Sequence, residues 1–569
     1  MTGNRLAYRW SLLGLLVSLI GSPAGAEQTT ADTIYVNGKV FTADARDNLT
    51  EAFAVTGDRF IAVGSNADVR KLAGASTRVI DLKGHFVTPG LADGHFHNEG
   101  GGSGIDLSHV RSTAELMVTV ANAATRAEPG ALLVSNQDWH EAQLKEQRLP
   151  TARELDQAAP NNPIVLVRGG HSYILNAVAL AKFNITKDTP VPAGGQISRE
   201  ANGELSGELF DTAKALVPLP KPRPLAMDDI LATQKALNPY GLTAVRIPGA
   251  YKGGDVLPAL KLMRQADAEH ALTLRYTVYM PGFGFRTAQQ VGDAIAKWEV
   301  KQDEGDDFVR IGGIKLAVDG GFEGGHLTRN YQEPYGKGGT YSGLTVSPPD
   351  AYNSVVREVN RLGWRAATHA VGDAAVDEVL TGYELANKDK PLIGKRWTIE
   401  HAFIARPDLV KRMQDLKLMV SAQDHLYLAA PVLKRYWGSD LASEVTPLKT
   451  YLDAGLLVAG GTDSPVIPFN PFWELYHFAS RDTISDGIYG DSQKVASRAQ
   501  LLRLVTINYA LMIGEEDHRG SIEPGKLADF AVLTDDFLSV PVEAIPNMKA
   551  LSTCVGGKEV YRDPGYRDN

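Results

Sequence analysis

VTPGLADGHFH, residues 87 to 97, is an apolar run through a Pro-Gly step that ends in two histidines one residue apart. Residues two apart on a strand face the same side. His95 and His97 therefore point together, with Phe96 turned away. Two neutral imidazoles at that spacing can hold one divalent ion. The pair alone is weak, because His-x-His arises often by chance. Its weight depends on what ends the other strands.

Eight stretches read as strands: Phe86 to His97, Leu242 to Pro248, Leu272 to Met280, Val309 to Asp319, Arg365 to His369, Arg396 to His401, Leu418 to Gln423 and Leu456 to Asp463. Helical periodicity separates most of them, as in Asp350 to Leu362, where Val355, Val356, Val359 and Leu362 share a face. Such alternation predicts an α/β chain with a parallel sheet. Eight strand–helix units predict a (β/α)8 TIM-like barrel, with a doubly wound open sheet as the alternative. Short strands also stand at both ends of the chain. Thr33 to Val40, Ala52 to Val63 and Thr77 to Leu82 precede the barrel; Phe530 to Thr534, Ala550 to Val555 and Lys558 to Tyr561 follow it. One small β-sandwich built from both termini accounts for them. The expected division is a signal peptide over 1–26, sandwich over 27–85 and 516–569, and barrel over 86–515. An insertion after strand one, about 100–240, has its own strand at Pro163 to Arg168 and covers the barrel mouth.

Barrels of this kind work at the C-terminal ends of their strands. His95 and His97 end strand one, Lys315 and Asp319 lie on strand four, His369 ends strand five, His401 strand six and Asp463 strand eight. A lone histidine at such a place is usually a hydrogen-bonded core residue; four at matching ends favour metal ligation. Asp463 in GGTDSPV can ligate and also take a proton from water. Lys315 is unusual, since a charged lysine on an interior strand is costly. A salt bridge with Asp319 is one reading. An N-carboxylated Lys315 bridging two ions is the other, and that reaction needs the neutral amine.

Bulk properties narrow the classes. The chain has 569 residues, 44% hydrophobic and 22% charged, with 58 Lys plus Arg against 67 Asp plus Glu, a formal charge of −9. This is globular composition, and mild acidity argues against a nucleic-acid partner. Arg5 and Arg9 precede an apolar run from Trp10 to Ile20, and Ala24-Gly25-Ala26 fits a cleavage site. That is the layout of a secretory signal, too short to span a bilayer. The expected product is an exported, periplasmic or secreted chain that starts near Glu27 and keeps no membrane anchor. Cys554 is the only cysteine, so any metal is held by His, carboxylates or a modified side chain. Zinc is the default; iron, manganese and nickel are alternatives. One ion is expected without carboxylation and two with it. A homo-oligomer is compatible with the sequence.

Beyond the strand ends, VTPGLADGHFH, RLPTARELDQAAPNNPIVLVRGGHSYILNAVAL (148–180), GIKLAVDG (313–320), GWRAATHAVGDAAVD (363–377), RWTIEHA (396–402), GGTDSPV (460–466) and GSIEPGKLADFAVL (520–533) stand in order. They resemble the amidohydrolase superfamily, in particular its YtcJ-like branch, which includes N-substituted formamide deformylases. The resemblance covers nearly the whole mature chain. It implies a barrel with a flanking sandwich, metal ligation by His95, His97, His369 and His401, Asp463 as catalytic base and ligand, and Lys315 at the carboxylated position. His171 matches a pocket position, and His425 is a weaker candidate. The chain departs from the family after Lys315, where DGGFEGGHLT adds Glu323 and His326, and again at QDWHEAQL from Gln137. Glu323 and His326 either touch substrate or cap a loop. Trp139, Tyr173, Phe210 and Tyr427 are aromatics that line a pocket or fill cores. The expected activity is hydrolysis of an amide-type C–N bond (N-acyl, N-formyl or cyclic amide) in a small-molecule substrate by metal-activated water. The alternatives are ester or lactone hydrolysis or deamination on the same site, or a catalytically silent binding or regulatory protein.

Overall fold

The structure, a computed structural model, describes residues 30–567 apart from 103, 169–171, 193–194, 201, 221–222, 334–335 and 467–468. The expected signal peptide and His171 lie outside the described residues. Eight parallel strands form the central sheet, each beside its sequence neighbour: β1 (Leu91–Asp93), β2 (Leu242–Pro248), β3 (Arg275–Pro281), β4 (Val309–Ala317), β5 (Ala366–Ala370), β6 (Thr398–His401), β7 (Met419–Ala422) and β8 (Leu457–Gly460). β1 and β8 meet where the Gly94 N–H donates to the Gly460 carbonyl at 2.8 Å. A Cβ on Gly94 would stand 2.5 Å from that oxygen, so only glycine lets the ring close there. The fold is the (β/α)8 barrel that the alternation predicted.

Barrel strands read as unbroken apolar runs because both faces are covered; every residue of β2 is buried. Helices outside supply the cover. In the helix Pro349–Arg361, Tyr352, Val355, Val356 and Val359 are buried, as the periodicity required, whereas Leu362 is the exposed C-cap.

Two further sheets join the chain's ends. One runs Arg59–Gly64, Ala52–Thr56, Thr33–Val36, Arg78–Asp81; the other runs Lys558–Arg562, Ala550–Val555, Phe530–Leu533, Phe86–Pro89, Lys39–Phe41, Leu49–Thr50. Phe53, Phe60, Val87 and Phe530 pack in the core between them. This corrects one expectation. Phe86 to His97 is not a single strand. Phe86–Pro89 pairs with Lys39–Phe41 and Phe530–Leu533 in the sandwich, and the barrel begins only at Leu91. The insertion is also richer than its one expected strand. It carries a five-stranded sheet, Gly195–Arg199, Leu205–Asp211, Ser172–Leu175, Ile164–Arg168, Leu133–Val134. Among the described residues no helix is long and apolar enough to cross a membrane.

Candidate metal centre

β1 ends at Asp93, so His95 and His97 occupy the irregular segment just past it. Their rings still converge, with centroids 5.2 Å apart, while Phe96 packs the other way against Phe469. Asp93 holds this segment to the one after β8: its carboxylate accepts from the N–H groups of His95 (2.9 Å) and Thr462 (3.0 Å) and from the Thr462 hydroxyl (2.6 Å). The result is a tight junction between the HFH and GTD motifs.

Asp463 lies at its centre. Oδ1 is 3.3 Å from His97 Nε2 and 3.5 Å from His95 Nε2; Oδ2 is 3.2 Å from His425 Nε2 and 3.9 Å from His401 Nδ1. Its φ is +53° and that of His401 is +70°. Non-glycine residues held in this left-handed region are strained, and such strain persists where the surroundings over-determine it. One ligand atom each from His95, His401 and Asp463 falls within 4.8 Å of the others, and all three residues are buried. His369 completes the ring, with its centroid 4.5 Å from that of His401.

Each imidazole has one nitrogen engaged away from the centre. His95 Nδ1 is 2.7 Å from Glu400 Oε2, His97 Nδ1 donates to the Ala250 carbonyl at 2.8 Å, and His401 Nδ1 donates to Gln423 Oε1 at 2.7 Å. His369 uses Nε2 instead, 3.1 Å from the Gly320 carbonyl. Such outward anchors fix the tautomer and present the other nitrogen to a metal. Glu400 is itself clamped by Arg246, at 2.5 and 3.0 Å, and both are buried.

Burial sets the protonation states. It pushes the His95 imidazolium down to about 4 and that of His401 well below the usual value, so both rings are neutral with a lone pair to offer. Burial raises the Asp463 and Glu400 carboxyls, yet the groups that face them outweigh it. His95 leads at Asp463 and Arg246 at Glu400, and both carboxyls sit well below the usual range. Lys315 Nζ is 3.4 Å from His95 Nε2, and burial brings its ammonium down to about 8. The Lys315–Asp319 salt bridge is not formed. Asp319 instead accepts backbone N–H groups of His326, Val371 and Gly372 and tethers the loop after β4.

Beside these polar groups lies a cavity of about 160 Å³. Its walls include Phe322, Phe403, Leu428 and Trp139, with Phe322 and Phe403 stacked at 5.7 Å. Glu323 reaches the cavity as a buried partner of Arg168. Trp139 lines it with its indole N–H on the Val167 carbonyl at 2.7 Å. His326 does not line it: its ring is 3.0 Å from Glu378 on the helix Asp373–Asp389, and its backbone caps that helix's start. Tyr173, Phe210 and Tyr427 stand elsewhere; Tyr427, for example, packs on Trp473.

The Amidohydrolase family profile matches residues 78–561. The chain belongs to the amidohydrolase family. It is 30% identical to the Arabidopsis thaliana Protein LONG AFTER FAR-RED 3, covering 97% of this chain and 94% of that one. It is 28% identical to an N-substituted formamide deformylase of Arthrobacter pascens, over 94% of this chain and 99% of the relative. Among solved structures, an uncharacterized metal-dependent hydrolase from Pyrococcus furiosus superposes with a TM-score of 0.63 at 25% identity, covering 89% of this chain and 100% of that one. The motif resemblance is thus borne out at family level. Within this amidohydrolase, motif reading left out Glu400, Arg246, His140 and Arg168 and ranked His425 low. A charged residue inside an apolar strand, as in TIEH and TAVRIP, was the available signal for the first two.

Proposed function

We propose that this amidohydrolase is a metal-dependent hydrolase that opens an amide-type C–N bond in a small molecule. The observation that carries the reading is the buried set His95, His401 and Asp463, with ligand atoms within 4.8 Å of one another, in the lining of a largely apolar cavity. The donors fit a divalent ion: neutral imidazoles and an ionised carboxylate, each backed by a hydrogen-bond partner. His95, His97, His369, His401 and Asp463 would hold it, and zinc suits this N/O set. A carboxylated Lys315 would admit a second ion. Burial favours that modification by enlarging the neutral amine fraction. When bound, such an ion polarises a carbonyl and acidifies water to near neutrality.

The chain's own groups supply the rest. Asp463 is in its basic form and accepts the proton of the attacking water, then returns it to the leaving nitrogen. His425, on the other carboxylate oxygen, keeps Asp463 oriented. Glu400 holds the His95 ring so that Nε2 faces inward. The apolar walls exclude bulk water and strengthen these interactions. Cavity size limits the substrate. An enclosed space of ~150 Å³ takes up benzene, so a substituent of about that bulk fits here. The Arthrobacter relative is by name a deformylase of N-substituted formamides, and a formamide whose substituent has this bulk would fit.

The deciding experiment is a hydrolysis screen of the metal-loaded protein over N-formyl, N-acyl and cyclic amides beside matched esters and lactones. Amide turnover with metal dependence supports the reading. Preference for esters or lactones sinks the C–N assignment, and full metal occupancy with no turnover on any class sinks hydrolysis itself. We further propose that residues 1–26 direct export to the periplasm, for which the Arg5-to-Ala26 layout is the support. Sequencing the mature N-terminus should then start at Glu27.

A further inference from the structure

The cavity beside the metal centre has a buried wall and an open rim, and the two lie on opposite sides of the barrel. The buried wall follows β6 and β7. Phe403, just past the end of β6, has its ring centroid 5.6 Å from that of His401 and 5.3 Å from that of His425, which lies just past the end of β7. Phe322 stacks on Phe403, and both are buried. The rim follows β3. Phe283, just past the end of that strand, lines the same cavity and is 37% exposed. In a closed ring of eight strands, β3 stands across from β7.

The place of Phe283 is built by its neighbours. The Gly282 N–H donates to the Lys315 carbonyl at 2.9 Å and pins the start of the loop to β4. Phe285 turns into the protein, its ring 6.1 Å from that of Trp298 and packed against the main core. Phe283 joins none of the apolar cores among the described residues. Its ring lies instead on Gly249, just past β2. A Cβ on Gly249 would stand 2.9 Å from Phe283 Cε2 and 3.0 Å from Lys315 Cβ, so ring edge, glycine and lysine stem meet at one spot. Contacts run on from there across the metal centre to the far wall. Lys315 Nζ is 3.4 Å from His95 Nε2, the His95 and His401 rings are 4.9 Å apart, and Phe403 follows at 5.6 Å. The same rim backs His97, whose Nδ1 donates to the carbonyl of Ala250, the residue after Gly249. The metal-binding groups thus stand between two apolar surfaces, one buried and one open. An amide has a group on each side of its C–N bond. Held at this centre, it directs one group to the Phe322–Phe403 wall and the other to Phe283.

We propose that Phe283 is a specificity-determining residue whose exposed ring takes an apolar group on one side of the scissile bond, opposite the group taken by the Phe322–Phe403 wall. The substrate class is then amides that are apolar on both sides, and a formyl compound leaves one of the two surfaces empty. This rests on the C–N hydrolase reading, but the subsite can be tested without turnover. The probes are N-benzylmethanesulfonamide and N-benzylbenzenesulfonamide. They differ by one ring, and sulfonamides resist hydrolysis. Calorimetric binding to the full mature protein, loaded with zinc, should favour the two-ring compound about ten-fold, since a second ring gains both buried area and an aromatic partner. Phe283→Ala should bring that ratio below about two-fold, and Phe283→Tyr, which keeps the ring, should retain it. Because Phe283 lies outside the apolar cores, both variants should fold, which circular dichroism checks. Equal binding of the two probes by the wild type overturns the proposal. So does a ratio that survives in Phe283→Ala, because the second ring then rests elsewhere. If no amide is hydrolysed while the probe ratio depends on Phe283, the reaction is at fault and the subsite stands. Amide turnover with a ratio indifferent to Phe283 does the reverse.

Discussion

Asp463 brings four imidazoles within 4 Å of one carboxylate, and the distances divide the labour between its oxygens. Oδ1 faces the HFH pair and Oδ2 faces His425. Replacing Asp463 with Asn keeps the shape and removes the base. The expected outcome is a folded protein whose kcat falls roughly 100- to 10,000-fold, the range of a lost general base. Circular dichroism and metal analysis beside the kinetics check it; near-wild-type turnover would remove Asp463 from that role. His425 makes a finer test. Burial raises the Asp463 carboxyl, and His95 and the His425 hydrogen bond are among the groups that lower it. Replacing His425 with Phe, a ring of similar size without the donor, should therefore raise the Asp463 value. The acid limb of the kcat/KM profile should then move to higher pH. A limb that moves down or stays fixed would show that His425 does not act through Asp463.

At the scale of elements, the strand order and the ligand order were legible because the barrel strands that lead to the ligands are apolar runs closed by a polar residue. His95, His97, His369, His401 and Asp463 fall at such ends. The break at Pro89-Gly90 was not legible. Local sequence continues apolar through it, and only the neighbours reveal two strands: a Cβ on Gly90 would meet Thr243 Oγ1 at 2.2 Å, a contact set by β2. The sheet of the insertion and the Arg168–Glu323 pair were hidden for the same reason, since that pair spans 155 residues of sequence. Glu400 belongs here as well. It lies on β6, Arg246 on β2 and His95 beyond β1, so one carboxylate ties three staves of the barrel. Glu400→Gln removes the charge that Arg246 and His95 share. Metal affinity should drop about 10- to 100-fold, as for other groups that orient a metal-bound histidine. Because Arg246 is left buried without its counter-ion, unfolding should also become easier by about 3–5 kcal/mol. Competition titration against a chelating dye and denaturant unfolding report the two effects separately. Unchanged affinity with lost stability would make Glu400 a structural residue only.

At the scale of the whole molecule, the question is how a sandwich made from both chain ends stays with the barrel between them. Arg275 on β3 meets Asp529, the residue before the sandwich strand Phe530–Leu533, through two hydrogen bonds of 2.7 and 2.8 Å, with both residues buried. The Gly556 N–H adds a third bond to the same carboxylate at 2.8 Å. Burial alone would raise the Asp529 carboxyl, but Arg275 outweighs it and the carboxyl lies below its ordinary value. The sign follows. An unfolded aspartate titrates near 4 (about 3.9). Above that pH the folded state gains the full benefit of the ion pair; as pH falls through the lower folded value the benefit is lost. Asp529→Asn should therefore lower the thermal midpoint at pH 7, where removing one partner of a buried pair costs about 3–5 kcal/mol. The gap between variant and wild type should narrow below pH 4, where the wild-type carboxyl also loses its charge. Scanning calorimetry can read one more consequence. If this pair couples the two units, a single wild-type transition should split in the variant, with the sandwich melting first. A variant that shows one unshifted transition at pH 7 would mean that the apolar contacts of the shared core, and not the Arg275–Asp529 pair, hold the sandwich to the barrel.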